Sequence, residues 1–340
     1  MLTFILRRVL MAIPTLLFIS FVIFMLLELA PGDPVGDMPL TIPPDVREKI
    51  RLALGLGEPW YVRYALWLNN LFVTEPSYWI DRTFGTNLAN GAQRIISYGT
   101  RAPVFDTIGE RMPQTLLVVG MGYLVGVLIA LPIGVISAYK QYSWFDQAGT
   151  FVSMVGFSVP TFVTGVLLIV VFSVWMPRDS WFWFPSIYDT TLKVTDLESF
   201  GKQVRQMAMP VFVLALYNAA QISRYMRASM LDNLGQDYVR TARAKGLTER
   251  VVILKHVLRN SMIPVVTVIA LGVPSVFTGA IITENVFKVN GLGQQLLLSI
   301  QSNDAPMVLT ISFIFAFLIV LFNLIADVAY GVLDPRIRYD

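Results

Sequence analysis

Leu231-Asp232-Asn233-Leu234-Gly235-Gln236-Asp237 leads into Tyr238-Val239-Arg240-Thr241-Ala242-Arg243-Ala244-Lys245, and Gly246 follows. This reads as a short helix halted by a glycine that can take the left-handed C′ conformation without a Cβ penalty. Thr248 stands where it can cap a second helix, from Glu249 to about Arg259, which Asn260 ends; Pro264 then lies near the first turn of an apolar segment. The pattern is a short helix, a tight turn and another helix between two apolar segments, 207–226 and 264–283. Small Ala242 and Ala244 suit the close approach of a partner backbone. The flanking arginines keep the element in water or against an acidic protein surface.

Outward from this stretch, the chain is dominated by such apolar segments. A hydrocarbon core about 30 Å thick needs roughly 20 apolar residues of helix. Six segments meet that length, at 9–29, 115–138, 149–175, 207–226, 264–283 and 307–332. The 340 residues are 55% apolar and only 14% charged, whereas soluble domains carry roughly a quarter. The expected class is therefore an all-α integral membrane protein with six transmembrane helices. Arg7 and Arg8 before the first segment give it the look of a signal peptide, but its length and the sequence Leu29-Ala30-Pro31-Gly32 favour an uncleaved span.

Basic residues set the orientation. The loop 227–263 holds Arg227, Arg240, Arg243, Lys245, Arg250, Lys255 and Arg259, and the chain ends hold Arg7, Arg8, Arg336 and Arg338. Positive charge favours the cytoplasm, so both termini are placed inside. Residues 1–29 form an N-terminal span, and 30–114 an extracytoplasmic loop with short amphipathic helices. Residues 115–332 form a five-span core that includes the cytoplasmic loop 227–263, and 333–340 a cytoplasmic tail. The net charge of +3 reflects this membrane orientation; no nucleic-acid partner is expected, and the lipid bilayer is.

Within 30–114, Pro43-Pro44 opens a helix that Gly55 closes at C′, and a second helix over about 59–72 places Trp60, Tyr64, Trp67, Leu68 and Leu71 at three- and four-residue steps. Both suit a packed cap or a membrane-interface surface. Trp181, Phe182, Trp183 and Phe184 stand in a row, as an interfacial aromatic belt does; a ligand platform is the other reading.

The chemistry that is missing narrows the function. No G-x-x-x-x-G-K-[ST] run cradles ATP phosphates, and Gly291-Leu292-Gly293 has no preceding strand to make a dinucleotide motif. Cysteine is absent and histidine occurs once, which excludes disulfides, thiolate metal sites and a histidine cage within the chain. Hence no catalytic group, no metal and no cofactor bound by this chain are expected. Glu28 and Glu284 fall near the outer boundary, within reach of headgroup water. Asp327 lies inside the last span, as a proton relay would, though a structural pairing with Arg224 or backbone accounts for it as well. Ser153, Ser158, Thr161, Ser275 and Thr278 are candidates to line a pathway; each can equally hydrogen-bond a neighbouring helix. No internal repeat supports an inverted-repeat secondary transporter.

The inner loop resembles the cytoplasmic signature of ATP-driven (ABC-type) importer permeases, E-A-A-x-x-x-G followed nine residues later by I-x-L-P. Ala242, Gly246 and Leu258 match it; Arg240, Thr241, His256 and Arg259 depart from it. Those departures are similar to the dipeptide/oligopeptide/nickel permease family, across Asp237 to Leu247, His256, Arg259-Asn260 and Pro264. The likeness extends through Ile5-Leu6-Arg7-Arg8, Ala30-Pro31-Gly32-Asp33-Pro34, Leu54-Gly55-Leu56, Arg111-Met112-Pro113-Gln114-Thr115-Leu116, Glu284-Asn285-Val286-Phe287, Gly291-Leu292-Gly293 and Leu333-Asp334-Pro335-Arg336. Asn290 departs, where that family has proline.

The resemblance implies a type I ABC-importer permease fold in a bacterial or archaeal cytoplasmic membrane. Its implied partners are a second homologous permease, two cytoplasmic ATPase subunits that hold ATP and Mg, and an extracytoplasmic solute-binding protein. It implies ATPase coupling through Asp237, Tyr238, Arg240, Thr241, Ala242, Arg243, Ala244, Lys245, Gly246 and Leu247. Peptides are the expected cargo, with oligosaccharides or nickel chelates as alternatives and an ion-coupled transporter behind them.

Overall fold

The computed structural model describes residues 2–30, 43–53, 55–278 and 280–333; the side chains of 2–4, 50, 53, 278 and 328–333 lie outside that description. Every regular element among the described residues is helical. In chain order these are α1 (Leu2–Leu29), α2 (Pro44–Ala53), α3 (Trp60–Asn69), α4 (Glu75–Phe84), α5 (Val104–Tyr139), α6 (Trp144–Ser158), α7 (Thr161–Ile169), α8 (Leu197–Leu234), α9 (Asp237–Ala244), α10 (Glu249–Val251), α11 (Leu258–Thr278), α12 (Ile281–Phe287), α13 (Leu292–Gln301) and α14 (Ala305–Leu333). Three π-helical stretches, Asn70–Thr74, Val170–Trp175 and Val252–Val257, join or extend them. The tail 334–340, the Pro31–Pro34 part of the first loop and Leu54 lie outside the described residues.

Among the described residues, four helices are long and apolar enough to cross a membrane: Ile5–Leu29, Val104–Tyr139, Glu249–Phe277 and Ala305–Asp327. The expected straight span 149–175 is instead broken. Its halves, Trp144–Ser158 and Thr161–Trp175, meet at 100°, because Pro160 cannot donate into the ladder and forces Val159 into extended backbone at φ −79°, ψ 123°. The expected span 207–226 lies inside the 38-residue α8. Asn218, Gln221, Ser223 and Arg224 dilute its apolar character, so α8 is long enough but does not meet the composition of a lipid-exposed crossing.

The chain divides into two compact units. One comprises 1–8, 113–294 and 318–340, and the other 9–112 and 295–317.

In the first unit, α5 and α8 approach closely along a line of glycines. A Cβ on Gly134 would lie 2.5 Å from Met226 Cβ, and one on Gly126 would lie 2.9 Å from Asn218 Cβ. Small residues permit such backbone approach, which helices in lipid need because they gain no hydrophobic drive from associating. Met226, Met230, Val239, Val252, Val257 and Val265 form a fully buried apolar cluster there. Ser229 and Ser261 hydroxyls each donate to the other's backbone carbonyl, at 2.9 and 3.2 Å, tying α8 to α11. Arg227 donates from Nε and Nη2 to both carboxylate oxygens of Asp146, at 2.6 and 2.8 Å, tying α8 to the start of α6.

Three expectations in this unit are corrected. The helix beginning at Glu249 does not end at Asn260. It passes through the π-helical stretch Val252–Val257 into α11, with Pro264 inside that helix. Asn260 caps nothing, since its side chain donates back to His256 O at 3.3 Å. Glu284 is buried rather than bathed in headgroup water. It accepts from Thr115 Oγ1 and from Gln294 N, both at 2.9 Å, beneath the Gly291-Leu292-Gly293 turn. Asp327 pairs with Arg8, at 2.8 Å, and not with Arg224, whose guanidinium instead lies 4.8 Å from the Phe157 ring centroid.

In the second unit, α2 ends as its glycine dictates. Gly55 has φ +70°, and the bonds Leu56 N to Arg51 O and Gly55 N to Leu52 O complete a Schellman turn. The second amphipathic helix is longer than its apolar period suggests, since a π-helical stretch carries α3 into α4 until Gly85 stops it at φ +68°. Trp67 packs edge-on to Phe313 and donates to Thr310 Oγ1 at 3.2 Å, seating α3 on α14. The buried Glu75 and half-buried Asp106 bracket Arg94, and the Asp304 carboxylate receives Ser97 Oγ and the backbone N–H of Tyr98 at the start of α14. Trp67, Leu71 and Ile95 are buried in this region, whereas Tyr61, Phe72 and Phe84 stay exposed.

Candidate functional site

The α8–α9–α10 connection is built from a few local bonds. Gly235 and Gln236 break the 38-residue α8, and Gln236, in extended backbone, starts α9. Gly246 then takes φ +76°. Its N–H donates to Arg243 O at 2.9 Å and the Leu247 N–H to Ala242 O at 3.4 Å, the paired bonds of a Schellman turn. Two side-chain contacts fix the element at each end. Tyr238 Oη donates to Asn233 Oδ1 at 2.7 Å, holding α9 to the last turn of α8. Across the glycine turn, Arg243 Nη2 and Nε donate to the Glu249 carboxylate at 2.7 and 3.2 Å. The hydrogen bond to Glu249 raises the pKa of Arg243 and keeps it charged.

Only Val239 and Ala242 of α9 are buried, one helical turn apart, and they pack on the π-helical stretch through Val252, Ile253 and Val257. The rest of α9 faces water: Asp237, Tyr238, Arg240, Thr241, Arg243 and Ala244, followed by Lys245, Gly246 and Leu247. Ala242 thus serves this chain's own core, which corrects its expected role toward a partner; of the two alanines, Ala244 is the exposed one. Apart from Ala242, the predicted coupling residues are brought together on one short, exposed, basic helix and turn. Asn233 and Glu249, which anchor it, were not singled out in the sequence. The signal for Glu249 was present, as an acid placed just past a glycine turn from an arginine.

The predicted pathway residues are more dispersed. Ser153 is buried on α6, 3.2 Å from Ser223 Oγ of α8, so it joins two helices. Ser158 and Thr161 flank the 100° bend. Ser275 donates to Gly272 O of its own helix at 2.6 Å. The side chain of Thr278 lies outside the described residues. Among the described residues, no group of three or more His, Asp or Glu side chains is placed to hold a metal ion.

Comparison with known proteins accounts for nearly the whole chain. Residues 130–339 match the family "Binding-protein-dependent transport system inner membrane component", and residues 1–119 match its N-terminal companion family. The oligopeptide transport system permease protein AppB of Bacillus subtilis is 39% identical, with all of both chains covered. The dipeptide transport system permease protein DppB of Escherichia coli is 36% identical over 100% of this chain and 99% of its own. The solved structure of an amino acid ABC transporter superposes with a TM-score of 0.49 at 14% identity, covering 67% of this chain and 94% of that one. By family match and full-length identity, this chain belongs to the binding-protein-dependent transport system inner membrane components, a family of multi-pass membrane permeases.

Proposed function

We propose that this chain is a pore-forming permease subunit of an ATP-driven peptide importer, and that α9 is its contact with the ATPase. Peptide is preferred to an oligosaccharide or a nickel chelate because the relatives with full-length identity are named as oligopeptide and dipeptide permeases. The chain crosses the membrane six times with both termini in the cytoplasm. Besides the four apolar helices, the crossings are the bent α6–α7 pair and α8. A second homologous permease completes the pore, two ATPase subunits supply ATP and Mg chemistry, and a binding protein delivers the peptide from outside. This subunit catalyses nothing itself; it converts ATPase movement into a change of access.

The observation that carries this reading is the construction of α9. Its inner face, Val239 and Ala242, is seated in the core formed by α8 and the π-helical stretch leading into α11. Its outer face is exposed and basic. A push on α9 therefore reaches both long helices through packed side chains, as a lever requires. The test is an Ala244→Cys variant in a complex co-expressed with its ATPase subunits. The cysteine is expected to form a nucleotide-dependent cross-link to the ATPase. A chain that carries peptide alone, driven by a proton gradient and indifferent to ATP, would overturn the proposal in favour of ion-coupled transport.

A further inference from the structure

Two exposed helical stripes in the first unit differ in chemistry. On α5 the exposed residues Leu117, Met121, Leu124 and Leu128 recur at three- and four-residue steps, and all are apolar. That is the face a helix turns to lipid. On α8 the corresponding stripe is Tyr217, Gln221, Arg224 and Ala228, joined by Tyr225; Tyr217, Arg224, Tyr225 and Ala228 are exposed and Gln221 is half-buried. From α6, Phe157 stacks on Tyr217 at 6.1 Å between ring centroids and lies under Arg224 at 4.8 Å.

Depth makes this stripe informative. Asp146 and Arg227 pair where α6 begins, and on the permease reading such an ionised pair lies at the membrane boundary and not within the hydrocarbon core. At 1.5 Å per residue, Arg224 lies about 5 Å beyond that pair, Gln221 about 9 Å and Tyr217 about 15 Å. The last figure is the middle of a core about 30 Å thick. An amide and a guanidinium at such depths face the bundle interior or a water-filled cavity rather than lipid. Arg224 meets the ring face of Phe157 and, among the described residues, has neither an acidic partner nor a hydrogen bond. Its five N–H donors remain available to a passing acceptor.

We infer that this face of α8, with Phe157 of α6, lines the aqueous translocation pathway, and that Arg224 receives the carboxylate of a peptide in transit. The inference rests on the permease reading and adds to it a location and a chemical class. Aromatic rings at Phe157 and Tyr217 give a sequence-tolerant apolar wall for varied side chains. Arg224 reads the group that every free peptide shares.

The chain contains no cysteine, so single cysteines can be placed without background in this subunit. In the complete complex reconstituted in vesicles, Tyr217→Cys and Gln221→Cys are expected to react with a charged, membrane-impermeant thiol reagent, at rates that change with nucleotide. Leu128→Cys is expected to stay unreactive. Arg224→Gln is expected to lower uptake of a dipeptide with a free C-terminus about tenfold relative to its C-amidated form, and Arg224→Lys to restore part of that preference. If positions 217 and 221 are as unreactive as 128 in a complex that transports, the pathway assignment is overturned and the permease reading stands. If they react but Arg224→Gln slows both peptides equally, the carboxylate role is overturned. A complete complex showing no ATP-dependent uptake would instead overturn the permease reading itself.

Discussion

Gly246 offers a clean perturbation of the proposed coupling lever. Its φ of +76° lies in the left-handed region, and a Cβ built there would meet nothing within 4 Å. Any effect of substitution is therefore conformational and not steric. An L-residue in this conformation costs roughly 1–2 kcal/mol, more when it is β-branched. One or two kcal/mol changes a local equilibrium by roughly 5–30-fold. The Schellman turn at Lys245–Leu247, with the Arg243–Glu249 pair across it, would then open part of the time. The core contacts of Val239 and Ala242 lie on the other side of the helix, so membrane insertion and the global melt stay close to wild type.

The expected order for transport coupling is Gly246, then Gly246→Asn, since asparagine tolerates the left-handed region, then Gly246→Ala, then Gly246→Val. The assay is peptide-stimulated ATPase activity alongside ATP-driven uptake in the reconstituted complex. Gly246→Val is expected to keep basal hydrolysis and lose most of both. Stimulation equal to wild type in Gly246→Val would refute the argument that a fixed turn transmits the stroke.

Other predictions follow from single contacts. Gly291→Ala would place a Cβ 2.5 Å from both Glu284 Oε2 and Thr115 Oγ1; overpacking of about 1–3 kcal/mol should appear as a lower melting temperature in detergent, and a wild-type melt would show that the turn can shift. Asp146→Asn leaves Arg227 without its carboxylate at a nearly buried site; a loss of about 1.5–3 kcal/mol is expected by denaturant unfolding, with no change if the pair is only superficial. Asp327→Asn removes the partner of Arg8, and uptake should remain driven by ATP and indifferent to an uncoupler; an uncoupler-sensitive wild type would argue for a proton relay.

The sequence by itself determined the class of the molecule and the position of the helix–glycine turn at Gly246. Apolar length needs no tertiary context, because a bilayer of fixed thickness imposes it on α1, α5 and α14 one helix at a time. The stop at Gly246 was equally legible, since the left-handed turn is a local property of glycine that the fold merely retains. The family resemblance in 237–247 and along the rest of the chain likewise needed no coordinates.

Only the tertiary structure decided what each side chain faces. Ala242 and Ala244 are alike in sequence, yet one is buried under the π-helical stretch and the other is exposed, because helix phase relative to a distant core separates them. Apolar length alone reads 149–175 as one span, whereas the structure breaks it by 100° where Val159 turns extended before Pro160. Asp327 took Arg8, from the other end of the chain, over Arg224 in the middle, and Glu284 was enclosed by a turn that no local pattern places over it. The polar stripe on α8 shows the same limit. Tyr217, Gln221 and Arg224 are spaced for one helix face, but whether that face is buried or open depends on neighbouring helices far away in sequence, and that packing points to where a peptide could pass.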